Sequence, residues 1–181
     1  APPPASPRDC RRLRMNTPVR ACIGLGANLG EAAATVAAAF PALAGLPGSR
    51  LLASSRLYRT PAWGRTDQPD FVNAAVVLET SLPPLELLDA LLRIERDAGR
   101  VRGAEGTRWG PRVLDLDLLL YGDQVLDLPG LQVPHPYLHQ RAFVLVPLAE
   151  IAPGAAIPGL GTVADALAAV DPAGVEVLQP A

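Results

Sequence analysis

Read from residue 19 to residue 121, the chain shows strand and helix patterns in the order strand, helix, strand, strand, helix, strand. That order predicts an α+β fold: a ferredoxin-like antiparallel sheet with both helices on one face, followed by a C-terminal extension. Two further observations support it. The segments VRACIG (19–24), FVNAAVVLET (71–80) and VLDLDLLL (113–120) are dominated by the aliphatic residues of buried strands. After Pro83-Pro84, Leu87, Leu88, Leu91, Leu92 and Ile94 recur at helical spacing. At 181 residues, with 49% hydrophobic and 19% charged residues, the chain supports a sizeable core as one domain.

Residues 1–18 are rich in proline and arginine and have no apolar core of a signal peptide, so they read as a disordered extension. The folded domain is expected over 19–181. Gly24-Leu25-Gly26-Ala27-Asn28-Leu29-Gly30 follows the first strand. Its G-x-G-x-x-x-G spacing, with no acidic residue about twenty positions on, argues against a dinucleotide site. It reads instead as a tight strand-to-helix turn with Asn28 as candidate cap. Glu31–Leu46 is an alanine-rich helix that Pro41 should break or kink. Arg50–Tyr58 reads as one strand, and Thr60–Pro69 as a loop long enough to be functional. In Phe71–Thr80, Phe71 and Asn73 share a face and can address the same flat ligand. The helix after Pro84 carries Glu95 near its C-terminal end, an unfavourable place for a negative charge; a surface carboxylate is the ordinary explanation. Arg100–Pro111 is glycine-rich, holds Arg100, Arg102 and Arg108, and reads as a mobile lid. Beyond the third aliphatic strand come a turn at Gly122-Asp123, an apolar segment Val144–Ile151, a short helix within Gly161–Val170 and an edge strand at Val175–Leu178.

The chemistry concentrates in Arg108-Trp109-Gly110-Pro111-Arg112-Val113-Leu114-Asp115-Leu116-Asp117. On a strand, Asp115 and Asp117 point the same way, roughly 7 Å apart, while Leu114, Leu116 and Leu118 take the other face. Two adjacent carboxylates are costly to bury without a cation between them. Mg²⁺ suits such a pair, because it completes its octahedron with water and phosphate oxygens. A lone D-x-D is ordinarily surface charge; the adjoining arginines favour a magnesium–polyphosphate site. All sixteen basic residues are arginine, which excludes a Walker A loop and the kinase strand lysine. The net charge of −2 does not favour nucleic acid or anionic membrane as partners. No run of eighteen apolar residues suggests a membrane span, and Cys10 and Cys22 form no disulfide framework, so a cytoplasmic location is expected. His135 and His139 flank Pro136 with no further ligand set nearby, which speaks against zinc.

The segments GLGANLG (24–30), SSRLYRTPAWG (54–64), DQPDFVNAAV (67–76), GRVR (99–102), RWGPRVLDLDLLLYG (108–122) and VPHPYLHQRAFVLVPLAEIAP (133–153) occur in this order. In that combination the chain resembles the 6-hydroxymethyl-7,8-dihydropterin pyrophosphokinase family of folate biosynthesis. The resemblance implies transfer of the diphosphoryl group of ATP to the pterin hydroxymethyl group, with AMP as co-product. It implies two Mg²⁺ ions on Asp115 and Asp117, with Arg100 and Arg112 as further catalytic residues. Thr60, Pro61, Trp63, Phe71, Asn73 and Phe143 would contact the pterin, the two phenylalanines stacking on its faces. Glu95, Arg102, Arg108, Trp109, Leu118, His135 and Arg141 would lie on the ATP side. A monomer is expected. Ala27 stands where serine is common in the family, Phe71 where tyrosine is frequent and Trp63 where an aliphatic residue is usual. The alternatives are an RNA-binding module, disfavoured by the charge and the scarcity of strand aromatics, and a family member that has lost activity.

Overall fold

The computed structural model describes residues 17–61, 69–99 and 113–178. The expected elements are present, and the sheet is wholly antiparallel. Strand β1 (Val19–Ala27) lies at its centre, between β4 (Phe71–Thr80) and β5 (Asp115–Tyr121). On the far side of β4 run β2 (Ser49–Ser54) and β3 (Tyr58–Thr60), and the short β10 (Glu176–Val177) extends the sheet beyond β3. The order β10-β3-β4-β1-β5 contains the ferredoxin-like arrangement expected from the element order.

Alternation decides what each face does. From β1, residues Ala21, Ile23, Leu25 and Ala27 enter one core; from β4, Val72, Ala74, Val76 and Leu78; from β5 and the residue before it, Leu114, Leu116 and Leu118. Helices α1 (Ala32–Ala44) and α2 (Pro84–Gly99) close that core with Val36, Ala39, Leu43, Leu87 and Leu91. Both helices therefore lie on one face, as the sequence predicts.

The C-terminal extension crosses to the other face. After the hairpin β6 (Leu126–Leu128) and β7 (Leu131–Val133) come a 3₁₀ turn (Leu138–Gln140), α3 (Ala142–Ile151), the pair β8 (Ala156–Ile157) and β9 (Gly161–Thr162), and α4 (Val163–Ala168). Leu138, Leu145, Leu148, Ile157 and Val163 form a second core there with Cys22, Ala75, Val77, Leu119 and Leu120. A shift of register between Cys22 and Ile23 lets Leu119 and Leu120 join the same core. Helix α4 starts on a capping box in which the side chains of Thr162 and Asp165 each accept from the other's backbone N–H.

Four local expectations need correction or narrowing. Gly24 and Gly26 are not in a turn but inside β1, and only Gly30 takes positive φ, at 54°. The cap position of α1 is Glu31 rather than Asn28, which is buried at 1% exposure. Of the break or kink expected at Pro41, the break does not occur: α1 runs on to Ala44. The single strand foreseen over 50–58 is two strands. Ser55 interrupts it, because its hydroxyl accepts the Ala75 N–H at 2.8 Å while its own N–H donates to the Ala75 carbonyl at 2.9 Å.

Candidate active site

The face that α3 and α4 leave open begins where the second core stops. Phe71 and Asn73 lie on the same side of β4 as Ala75 and Val77, by alternation along the strand. Asp115 and Asp117 likewise lie opposite Leu114, Leu116 and Leu118, so both acids are half-buried and point to that same side. Register brings the two strands' groups into line. Gly26 pairs with Asn73 on one side and with Asp115 on the other, and Gly24 pairs with Ala75 and Asp117. At about 4.8 Å between neighbouring strands, roughly 10 Å of sheet separates the backbones of Asn73 and Asp115. Glycine makes the floor of this interval bare. A Cβ on Gly26 would sit 3.1 Å from the Asn73 side-chain Oδ1 and crowd it.

Across β4, Thr60 pairs with Phe71 and its hydroxyl accepts the Asn73 Nδ2 at 2.8 Å. Both groups are buried, Thr60 at 4% exposure and Asn73 at 6%, so the hydrogen bond holds the amide in one orientation. Phe143, in the first turn of α3, borders a cavity of about 380 Å³ that Thr60 and Pro61 also line. The two phenylalanines named by the sequence thus lie on one side of the sheet.

Strand β5 is the sheet's edge, and α2 packs beside it. There the Glu95 Oε1 accepts the Leu116 N–H at 2.7 Å. Burial raises the Glu95 carboxyl to about 7; the hydrogen bond from Leu116 opposes this, and neighbouring Asp115 and Asp117 add to the rise. Glu95 is therefore not an ordinary surface carboxylate: it belongs to a group with the two aspartates. Burial is the larger cause, and the two aspartates place beside it negative charge that a cation would relieve. Among the described residues, no set of three or more histidine, cysteine or acidic side chains is arranged to cage a metal. Two half-buried acids side by side fit Mg²⁺, which takes its remaining ligands from water and phosphate.

The cationic side of the site is the segment between β7 and α3. The Arg141 guanidinium lies 5.2 Å from the Tyr137 ring centre and 5.7 Å from that of Phe143. His135 contacts Tyr137 edge-on, at 6.3 Å between ring centres. Burial and then the charge of Arg141 hold the His135 imidazole below its ordinary pKa, with Asp115 acting weakly the other way. Sequence reading passed over Tyr137. Its position between two nominated residues, four before Arg141, was the signal available. The Leu118 side chain faces away from the acids, as alternation predicts, and is 4% exposed within the helix-side core. Trp63, Arg100, Arg102, Arg108, Trp109 and Arg112 lie outside the described residues.

The model of the 7,8-dihydro-6-hydroxymethylpterin-pyrophosphokinase (HPPK) family matches residues 22–153, the span that contains all of these groups. The chain belongs to the HPPK family. It is 54% identical over 158 residues to the 2-amino-4-hydroxy-6-hydroxymethyldihydropteridine pyrophosphokinase of Methylorubrum extorquens, covering 87% of this chain and 97% of that one. The protein of the same name from Pseudomonas aeruginosa is 49% identical over 159 residues, covering 88% of this chain and 96% of the relative. The fold also matches Plasmodium falciparum HPPK-DHPS, with a TM-score of 0.66 at 15% identity over 87% of this chain and 47% of the other. The wild-type form with pteroate gives a TM-score of 0.64 at 15% identity, covering 84% and 42%. The chain spans less than half of those longer proteins, and the likeness is one of fold.

Proposed function

We propose that this HPPK-family chain transfers the diphosphoryl group of ATP to the hydroxymethyl group of 6-hydroxymethyl-7,8-dihydropterin, yielding AMP and the pterin diphosphate for folate biosynthesis. The observation that carries the reading is the row Asn73–Gly26–Asp115, with the Gly24–Asp117 pair beside it. It puts an oriented amide and two acids on one face, with no side chain on the strand between them.

In this reading the pterin edge bonds to Asn73 and Thr60, with Pro61 and Trp63 at its border, and its ring faces stack on Phe71 and Phe143. Stacking on an aromatic ring contributes on the order of 1–3 kcal/mol per base-like ring. Asp115 and Asp117 would hold two Mg²⁺ ions, which supply neutralisation of the polyphosphate charge. Glu95 sits against the acids, so its place on the ATP side is through them. His135 and Arg141, with Tyr137 between them, would take the nucleotide. Arg102, Arg108 and Trp109 would join them, and Leu118 would contribute through its main chain. Arg100 and Arg112 would clamp the phosphates bidentately, since this transfer needs in-line placement and charge stabilisation more than covalent help. One chain supplies every nominated group, in keeping with a monomer. No helix among the described residues is long and apolar enough to cross a membrane, and a cytoplasmic enzyme is the reading we adopt.

Incubation with ATP, Mg²⁺ and the reduced pterin, followed by nucleotide analysis, tests the assignment. AMP must form only when the pterin is present. Formation of ADP instead, or no nucleotide turnover, would overturn it.

A further inference from the structure

The chain beyond residue 153, past the family match, comes back to the pterin side of the proposed site. After α4 it makes a turn closed by two hydrogen bonds: Ala173 N–H to the Asp171 carboxylate at 2.9 Å and Val175 N–H to the Pro172 carbonyl at 3.1 Å. Strand β10 then fastens the turn to β3. Glu176 pairs with Arg59 and Val177 with Tyr58, the Leu178 N–H donates to the Leu57 carbonyl at 2.8 Å, and the Arg59 guanidinium meets the Glu176 carboxylate at 3.1 Å. Gly174, at φ +87°, backs directly onto Pro61: a Cβ there would lie 3.6 Å from the proline Cδ.

This anchoring makes the turn a wall. The cavity of about 380 Å³ lies between Thr60, Pro61 and Phe143 on one side and Val170, Ala173 and Val175 on the other. Thr60 is the residue that orients the Asn73 amide, so the cavity adjoins the proposed ring site. Its volume is near the lower end of the roughly 300–1,000 Å³ that small-molecule pockets occupy. On the C-terminal side Val170, Asp171, Ala173 and Val175 line it; Ala173 is exposed, and its methyl group is the smallest of these side chains.

We propose that the turn from Asp171 to Val175 is the outer wall of the heterocycle pocket, and that Ala173 determines how large a ring-edge substituent the pocket admits. This rests on the pterin reading given above. The favoured ligand class is a flat, reduced bicyclic aminopyrimidine without a bulky group on the edge that faces the turn.

The test uses the full chain, with AMP formation measured against pterin and against MgATP in turn. Arg141 also lines the cavity, so Ala173→Phe should raise the KM for the pterin about tenfold and that for MgATP by less, while the melting temperature stays as in wild type. Ala173→Gly should improve kcat/KM for a ring-alkylated reduced pterin relative to the parent compound. A folded Ala173→Phe protein with unchanged pterin KM overturns the wall and leaves the pterin reading standing. If the wild-type chain forms no AMP, equilibrium binding of the pterin, followed by its fluorescence, replaces the KM. Binding that Ala173→Phe does not weaken then overturns the wall, and no binding to wild type overturns both readings.

Discussion

The two faces of the sheet are built from the same strands and do different work. Against α1 and α2, the inward residues of β1, β4 and β5 are aliphatic until the far end, where Thr80 and Tyr121 are buried with their hydroxyls hydrogen-bonded. On the opposite face the aliphatic cover by α3 and α4 ends at Ala75 and Leu119, and beyond it come Phe71, Asn73, Gly26, Gly24, Asp115 and Asp117. The first face packs aliphatic side chains; the second carries polar ones. An amide or carboxyl group taken out of water weakens the fold unless a partner meets it, as Thr60 meets Asn73. The difference teaches that the helix-packed face supplies the rigidity on which the polar face depends.

The comparison is broken most severely at the acids. Asp117→Ala should lower Mg²⁺-dependent AMP formation by at least about 10³-fold, because the neutralisation of polyphosphate charge is worth several kcal/mol. Its melting temperature, measured beside the activity, tells lost chemistry from lost fold. Turnover near the wild-type rate would remove Asp117 from the chemistry. On the other face, Leu91→Ala empties a fully buried position and should cost about 2–5 kcal/mol of stability in denaturant titration. The KM values of the protein that remains folded should not move; if they do, the faces are not independent.

Gly26→Ala sharpens the contrast, because it should act on binding and not on folding. The added methyl meets Asn73 Oδ1, so the pterin KM is expected to rise about tenfold, the scale of one misdirected hydrogen bond. Stability should hold or gain slightly, since alanine loses less backbone entropy than glycine in a strand. An unchanged pterin KM would mean that Asn73 does not meet the substrate.

The smallest effect is electrostatic. The Glu95 carboxyl binds its proton more tightly in the folded chain, at about 7 against an ordinary 4.5. The folded state therefore carries more protons across that interval, and stability falls as pH rises from about 4.5 to about 7. Glu95→Gln keeps an acceptor for the Leu116 N–H and should flatten this slope when metal-free protein is melted across the range. An identical slope in the variant would assign the pH dependence elsewhere.

Legibility followed the range of the interactions. The strand Phe71–Thr80 has the bounds its residue pattern indicates, and in α2 Leu87 and Leu91 are buried as their helical spacing predicts. Both rest on local periodicity. The interruption at Ser55 was misread because it depends on what lies nearby, the Ala75 backbone. The position of α3 and α4 on the second face could not be read either. An apolar segment states that it will be buried, not against which surface.

The amino-acid order alone determined which side chains alternate: Leu114, Leu116 and Leu118 one way, Asp115 and Asp117 the other, Phe71 with Asn73. It also held the motifs of the HPPK family. Only the tertiary structure decided that β1 separates β4 from β5, so that Gly26 stands between Asn73 and Asp115, that Glu95 reaches the acids from α2, and that the turn at Ala173 faces Thr60. The physical reason is that alternation is written in neighbouring residues. Strand order and register arise from the burial of residues distant in the chain, which no short segment contains.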